Sequence, residues 1–172
     1  QIKNYPQPDS FDLKVELGNY LAISTENIIA GNGAAELIYL YLDYFKPKKV
    51  LLPVPSFSEY EKACRKVGAE IDFLFLNKKN NFALDLNKFK SRIAGKDLII
   101  LCRPHNPSGR LYPAEKIREV IKIAAKYECR VLLDEAFMDF VIEDEGRSIF
   151  SSLAEFNNLF ILRSLTKFFV LS

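Results

Sequence analysis

The chain has 172 residues, 49% of them hydrophobic and 13% aromatic, which is enough for one globular domain with a substantial core. A formal net charge of +2, dispersed along the chain, gives no electrostatic reason to expect nucleic acid or a membrane as partner. No apolar run reaches bilayer length, no signal-peptide pattern is visible, and three scattered cysteines with one histidine make no metal site.

Cys64, Cys102 and Cys129 read as reduced core residues of a cytoplasmic protein. The chain starts at Gln1 and stops inside an apolar stretch at Ser172, so it reads as a segment of a longer protein. Residues 1–22 are expected to form an arm and a helix. Residues 23–172 are expected to form one larger domain, cut at its C-terminal end.

Asn4 to Asp9 contains two prolines and is predicted to be extended. Ser10 can cap a helix with Phe11, Val15, Leu17, Tyr20 and Leu21 as its apolar positions, weakened by Gly18 and Asn19. After a turn at residues 24–27, Gly31-Asn32-Gly33-Ala34-Ala35 leads into a helix whose apolar face is predicted to be Leu37, Ile38, Leu40, Tyr41, Tyr44 and Phe45. Small residues at a helix start let an anion approach the free N–H groups, and the helix dipole favours it. A tight turn before the helix explains the same glycines equally well.

Val50–Leu52 is a predicted short strand ending at Pro53, and Pro55-Ser56-Phe57 opens a helix that stops at Gly68. Ile71–Leu76 is a second strand, and Leu86, Phe89 and Ile93 carry a short helix ending at Gly95. Leu98–Cys102 is continuously apolar, as in a strand buried on both faces, and feeds an irregular loop containing His105 and Asn106. Pro113 begins a helix with the stripe Ile117, Val120, Ile121 and Ala124. Val131–Leu133 is another buried strand that runs straight into Asp134, and Leu159–Leu162 is the last, followed by Ser164, Thr166 and Lys167.

This alternation predicts an α/β fold, a mostly parallel sheet with helices on both faces. Asn106, Asp134 and Lys167 then each follow the C-terminal end of a buried strand, where open α/β sheets bind ligands. Leu165, Phe168 and Phe169 are expected to desolvate Lys167 in part, favouring the neutral amine that imine chemistry needs. A surface lysine is the plain alternative. A carboxylate at a strand end needs a cation or donors, so Asp134 fits either a structural ion pair or a binding role. Taken together, the lysine, the carboxylate, Asn106 and the anion-friendly helix start point to one ligand. It would carry a phosphate, an imine-forming carbonyl and a basic ring nitrogen, as pyridoxal phosphate does.

On Asn106-Pro107-Ser108-Gly109, Asp134-Glu135-Ala136-Phe137 and Ser164-Leu165-Thr166-Lys167, in that order and spacing, the chain resembles the large domain of fold-type-I pyridoxal-phosphate enzymes. The likeness runs from Tyr5 to Lys167 and is strongest to the branch of threonine-phosphate decarboxylase and histidinol-phosphate aminotransferase. It implies that Lys167 bonds the aldehyde of pyridoxal 5'-phosphate and shuttles protons, and that Asp134 pairs with the ring nitrogen. It further implies that Asn106 reaches the ring hydroxyl and that Phe57 stacks on the ring, core packing being the alternative for Phe57. The backbone of Gly33, Ala34 and Ala35, with the Ser164 and Thr166 hydroxyls, would hold the phosphate. Tyr5 would reach the phosphate of a neighbouring subunit, implying a homodimer with shared sites. Two departures stand out: Phe137 where the family usually has tyrosine, and His105 where it has asparagine, read here as a loop histidine without a catalytic role. The small C-terminal domain, the downstream arginine that grips the phosphate and the C-terminal arginine that grips the substrate carboxylate are expected beyond Ser172. The resemblance implies decarboxylation of L-threonine O-3-phosphate to (R)-1-amino-2-propanol phosphate, a step of cobalamin synthesis. Histidinol-phosphate transamination is the nearest alternative, and a non-catalytic α/β binding domain is a third reading.

Overall fold

The apolar runs pair into one five-stranded, all-parallel sheet in this computed structural model, which describes residues 9–142 and 149–169. The strands are β1 (Lys49–Val54), β2 (Glu70–Phe75), β3 (Leu98–Cys102), β4 (Arg130–Asp134) and β5 (Leu159–Leu162), in the spatial order β2-β1-β3-β4-β5. The helices are α1 (Phe11–Leu21), α2 (Gly33–Phe45), α3 (Ser58–Lys66), α4 (Leu86–Lys90), α5 (Ala114–Lys126) and α6 (Leu165–Phe169). Parallel neighbours require long crossovers, and α3, α4 and α5 lie in those between β1 and β4. Residues 1–32 and 33–172 form separate compact units, so α1 belongs to the first and the sheet to the second.

Side chains alternate along a strand, so each central strand feeds two cores. Leu51, Ile99, Leu101, Val131 and Leu133 point to the face covered by α4 and α5, where Phe89, Ile117 and Val120 are buried. Val50, Leu52, Ile100, Cys102, Leu132 and Leu162 point to the face covered by α2 and α3, among Ile38, Leu42, Tyr60 and Ala63. Each fully buried aliphatic side chain contributes about 1.5–3 kcal/mol. This two-sided burial is why β3 and β4 read as unbroken apolar runs.

Several local expectations change. The buried stripe of α2 is Ile38, Tyr41 and Leu42, an i, i+3, i+4 set, while Leu40 is 53% and Tyr44 82% exposed. Strand β1 continues through Pro53, which is buried and in register with Leu74. Its pairing with β3 is confined to Val50 and Leu51, so that ladder has ended before a residue with no N–H to give it. Ser10 makes no side-chain cap; its backbone is left-handed, and the Asp9 carboxylate accepts from the Phe11 N–H at 3.2 Å instead. Gly18 is the buried residue of α1. A Cβ there would lie 3.0 Å from the Ile23 carbonyl oxygen, so glycine permits the tight turn that ends this helix.

Candidate active site

The strand order reverses between β1 and β3, and their ladder stops at Leu51. Such a switch point is where open α/β sheets leave a crevice for a ligand. His105 crosses it. Its Nε2 lies 2.9 Å from the Pro55 carbonyl oxygen and its Nδ1 2.7 Å from the Ser108 hydroxyl. A carbonyl only accepts, so Nε2 carries the proton and Nδ1 accepts from Ser108. Burial, partly opposed by the Pro55 bond, pushes the imidazole pKa down and keeps the ring neutral. His105 therefore ties the loop leading to Phe57 to the loop carrying Asn106. Its visible role is to hold these two segments together.

Asp134 is the last residue of β4, in register with Cys102 on β3 and Leu162 on β5. Alternation turns all three toward α2 and α3, which buries the carboxylate to 4% exposure. Tyr60, on α3 in the same core, donates its hydroxyl to Oδ2 at 2.5 Å, and the Ala136 N–H donates to Oδ1 at 2.8 Å. Desolvation raises the Asp134 pKa, and the Tyr60 bond, the Ala136 bond and the charge of Lys167 pull it back. Among the described residues no lysine or arginine comes within salt-bridge distance of Asp134. Phe57 precedes α3 and meets Tyr60 edge-on, with ring centroids 5.5 Å apart. Tyr60 is the site residue that sequence reasoning missed. Its spacing of three from Phe57 was the available signal, since it puts both rings on one side of a helix start.

Lys167 lies in α6, with Nζ 5.8 Å from the centre of the Phe137 ring. The partial desolvation expected for it is not found: Lys167 is exposed, and its neighbour Phe168 is itself 46% exposed. The structure thus gathers Phe57, Tyr60, Asp134 and Lys167 at one end of the sheet. Ser164 is buried and Thr166 exposed at the start of α6. Gly33 opens α2 with φ +81°, and a Cβ there would meet nothing within 4 Å. Ala34 packs at the margin of the α2–α3 core and Ala35 is exposed. Asn106 is half-buried, with its backbone N–H toward the Cys102 sulfur. Tyr5 lies outside the described residues.

The profile described as "Aminotransferase class I and II" matches residues 1–172. The chain belongs to the class I and II aminotransferase family. A protein of Caldanaerobacter subterraneus subsp. tengcongensis, provisionally named threonine-phosphate decarboxylase, is 38% identical over 168 residues, 98% of this chain and 46% of that protein. A histidinol-phosphate aminotransferase of Ruminiclostridium cellulolyticum is 34% identical over 176 residues, 100% of this chain and 48% of that protein. The crystal structure of the histidinol-phosphate aminotransferase from Clostridium acetobutylicum superposes with a TM-score of 0.85 at 33% identity, covering 98% of this chain and 49% of that one. The chain spans about half the length of these family members.

Family membership carries pyridoxal 5'-phosphate as cofactor. The residues present fit that group. Asp134 is a buried carboxylate with two neutral donors and, among the described residues, no lysine or arginine within salt-bridge distance, a setting that stabilises a protonated ring nitrogen. Lys167 is an accessible amine whose charge reaches Asp134.

Proposed function

We propose that the full-length protein is a pyridoxal-phosphate-dependent decarboxylase of L-threonine O-3-phosphate, yielding (R)-1-amino-2-propanol phosphate for cobalamin synthesis in the cytoplasm. The observation that carries this reading is the 38% identity to the Caldanaerobacter protein across 98% of the chain. The bound cofactor supplies an electron-withdrawing ring that accepts the electron pair left when a bond to the substrate's α-carbon breaks. Lys167 would hold the cofactor's aldehyde carbon and, after carbon dioxide leaves, return a proton to the α-carbon. Asp134 would keep the ring nitrogen protonated, Asn106 would bond the ring hydroxyl and Phe57 would lie against the ring. The N–H groups of Gly33, Ala34 and Ala35 and the hydroxyls of Ser164 and Thr166 would hold the phosphate. Tyr5 would serve the site of a second subunit in a homodimer.

Histidinol-phosphate transamination is the second reading, favoured by the 34% identity to the Ruminiclostridium enzyme and the TM-score of 0.85 to the Clostridium one. The two reactions share Lys167 and Asp134 and differ in which bond at the α-carbon is held perpendicular to the ring. The deciding assay offers full-length protein threonine phosphate alone, and histidinol phosphate with 2-oxoglutarate. Carbon dioxide from threonine phosphate is the expected product. Glutamate from histidinol phosphate without carbon dioxide from threonine phosphate would replace the first reading by the second.

A further inference from the structure

Tyr60 is 1% exposed, and its environment leaves its hydroxyl one chemical role. Desolvation, with Cys102 and Asp134 close by, raises its pKa far above the ordinary tyrosine value, so it stays protonated and donates. The acceptor is Asp134 Oδ2 at 2.5 Å, within the short range of O–H···O⁻ bonds. The Ala136 N–H holds the other oxygen. A carboxylate gripped at both oxygens cannot rotate, and its remaining lone pairs have fixed directions. The groups facing Asp134 are Tyr60 from α3, Cys102 from β3, the Ala136 N–H beyond β4 and Lys167 from α6. Of these, Tyr60 is the one buried side-chain hydroxyl on the carboxylate.

We propose that Tyr60 is a positioning residue for the cofactor's ring nitrogen, acting through Asp134: its hydroxyl sets the plane of the carboxylate and keeps the shared proton on the nitrogen. This rests on the reading that Asp134 pairs with that nitrogen. Without the donor, a carboxylate this deeply buried draws the proton to itself. The ring nitrogen then loses its charge although Asp134 is still present.

The test uses full-length holoenzyme carrying pyridoxal phosphate labelled with ¹⁵N in the ring. The ring-nitrogen resonance is read in wild type, Tyr60→Phe and Asp134→Asn, and cofactor dissociation constants are measured alongside. Wild type is expected at the protonated position, with both variants moved toward the unprotonated one. Tyr60→Phe is also expected to retain cofactor roughly tenfold less tightly. A protonated nitrogen in Tyr60→Phe, with a displaced one in Asp134→Asn, overturns the role of Tyr60 alone. Wild type and Asp134→Asn at the same position overturn the Asp134 reading beneath it. Should Tyr60→Phe not fold, 4-aminophenylalanine at position 60 keeps the ring and weakens the donor. The resonance should then move toward the unprotonated position, and an unmoved resonance overturns the proposal.

Discussion

Two sets of side chains leave the same three strands at the C-terminal edge of the sheet. Cys102, Asp134 and Leu162 are in register and face α2 and α3. Arg103, Glu135 and Arg163 follow by one residue each, and alternation turns them to the opposite side. The second set is electrically complete. Arg103 and Glu135 are both fully buried and meet at 3.1 Å, the Arg103 Nε donates to the Tyr112 carbonyl at 2.8 Å, and Arg163 links Glu135 at 3.7 Å to Asp139. The first set holds a buried carboxylate with neutral donors and, among the described residues, no lysine or arginine within salt-bridge distance, only the more distant charge of Lys167. Buried charges are costly unless paired; on one side the chain pairs its own charges, and on the other the Asp134 carboxylate rests on neutral donors.

The largest effect is expected at the ion cluster. Glu135→Ala leaves the guanidinium of Arg103 buried without its carboxylate, and is expected to cost about 3–5 kcal/mol of stability. Denaturant unfolding of the full-length protein checks this. A loss below about 1 kcal/mol would mean that the ion cluster is not what holds the three strand ends together.

A smaller effect, on function and not on fold, is expected on the other side. Asp134→Asn should fold normally and lose about one to two decades of activity, the rate equivalent of a charge-assisted hydrogen bond worth about 1.5–3 kcal/mol. Near-wild-type turnover in a folded variant would contradict the pairing with the ring nitrogen.

The same substitution is expected to change the pH dependence of stability in protein freed of cofactor. Burial raises the folded pKa of Asp134 above the ordinary value of about 3.9. The contribution of its protonated form is therefore fully present below the ordinary value and is lost as pH rises through the folded one. Asp134→Asn, which cannot ionise, should gain on wild type as pH rises across that window, by about 1.4 kcal/mol per unit of upward shift. Melting temperatures of both proteins in matched buffers test the sign. A variant that falls behind wild type as pH rises would show that the carboxylate is already stabilised as an anion by the chain.

What was legible in the sequence follows from range. Leu98–Cys102 coincides with β3 because double burial writes a continuous apolar run, and Leu159–Leu162 coincides with β5 although three of its four residues are only partly buried. Asp134 was legible because it interrupts such a run at its end. Tyr60 was not, because an aromatic residue in an amphipathic helix looks like packing, and its partner is 74 residues away. Arg103 and Glu135, 32 residues apart, are hidden for the same reason: their pairing depends on the register of β3 and β4. The exposure of Lys167 was misjudged because apolar neighbours in sequence say little about which side of the short helix α6 each residue takes.

The central claim is that the open side of this edge is a pyridoxal-phosphate site whose covalent anchor is Lys167. Full-length holoenzyme reduced with borohydride and digested reads it directly. The account predicts a single pyridoxyl-modified peptide with the label on Lys167, and the loss of that label in Lys167→Ala. A label on any other lysine, or none in protein that carries the cofactor, would contradict it.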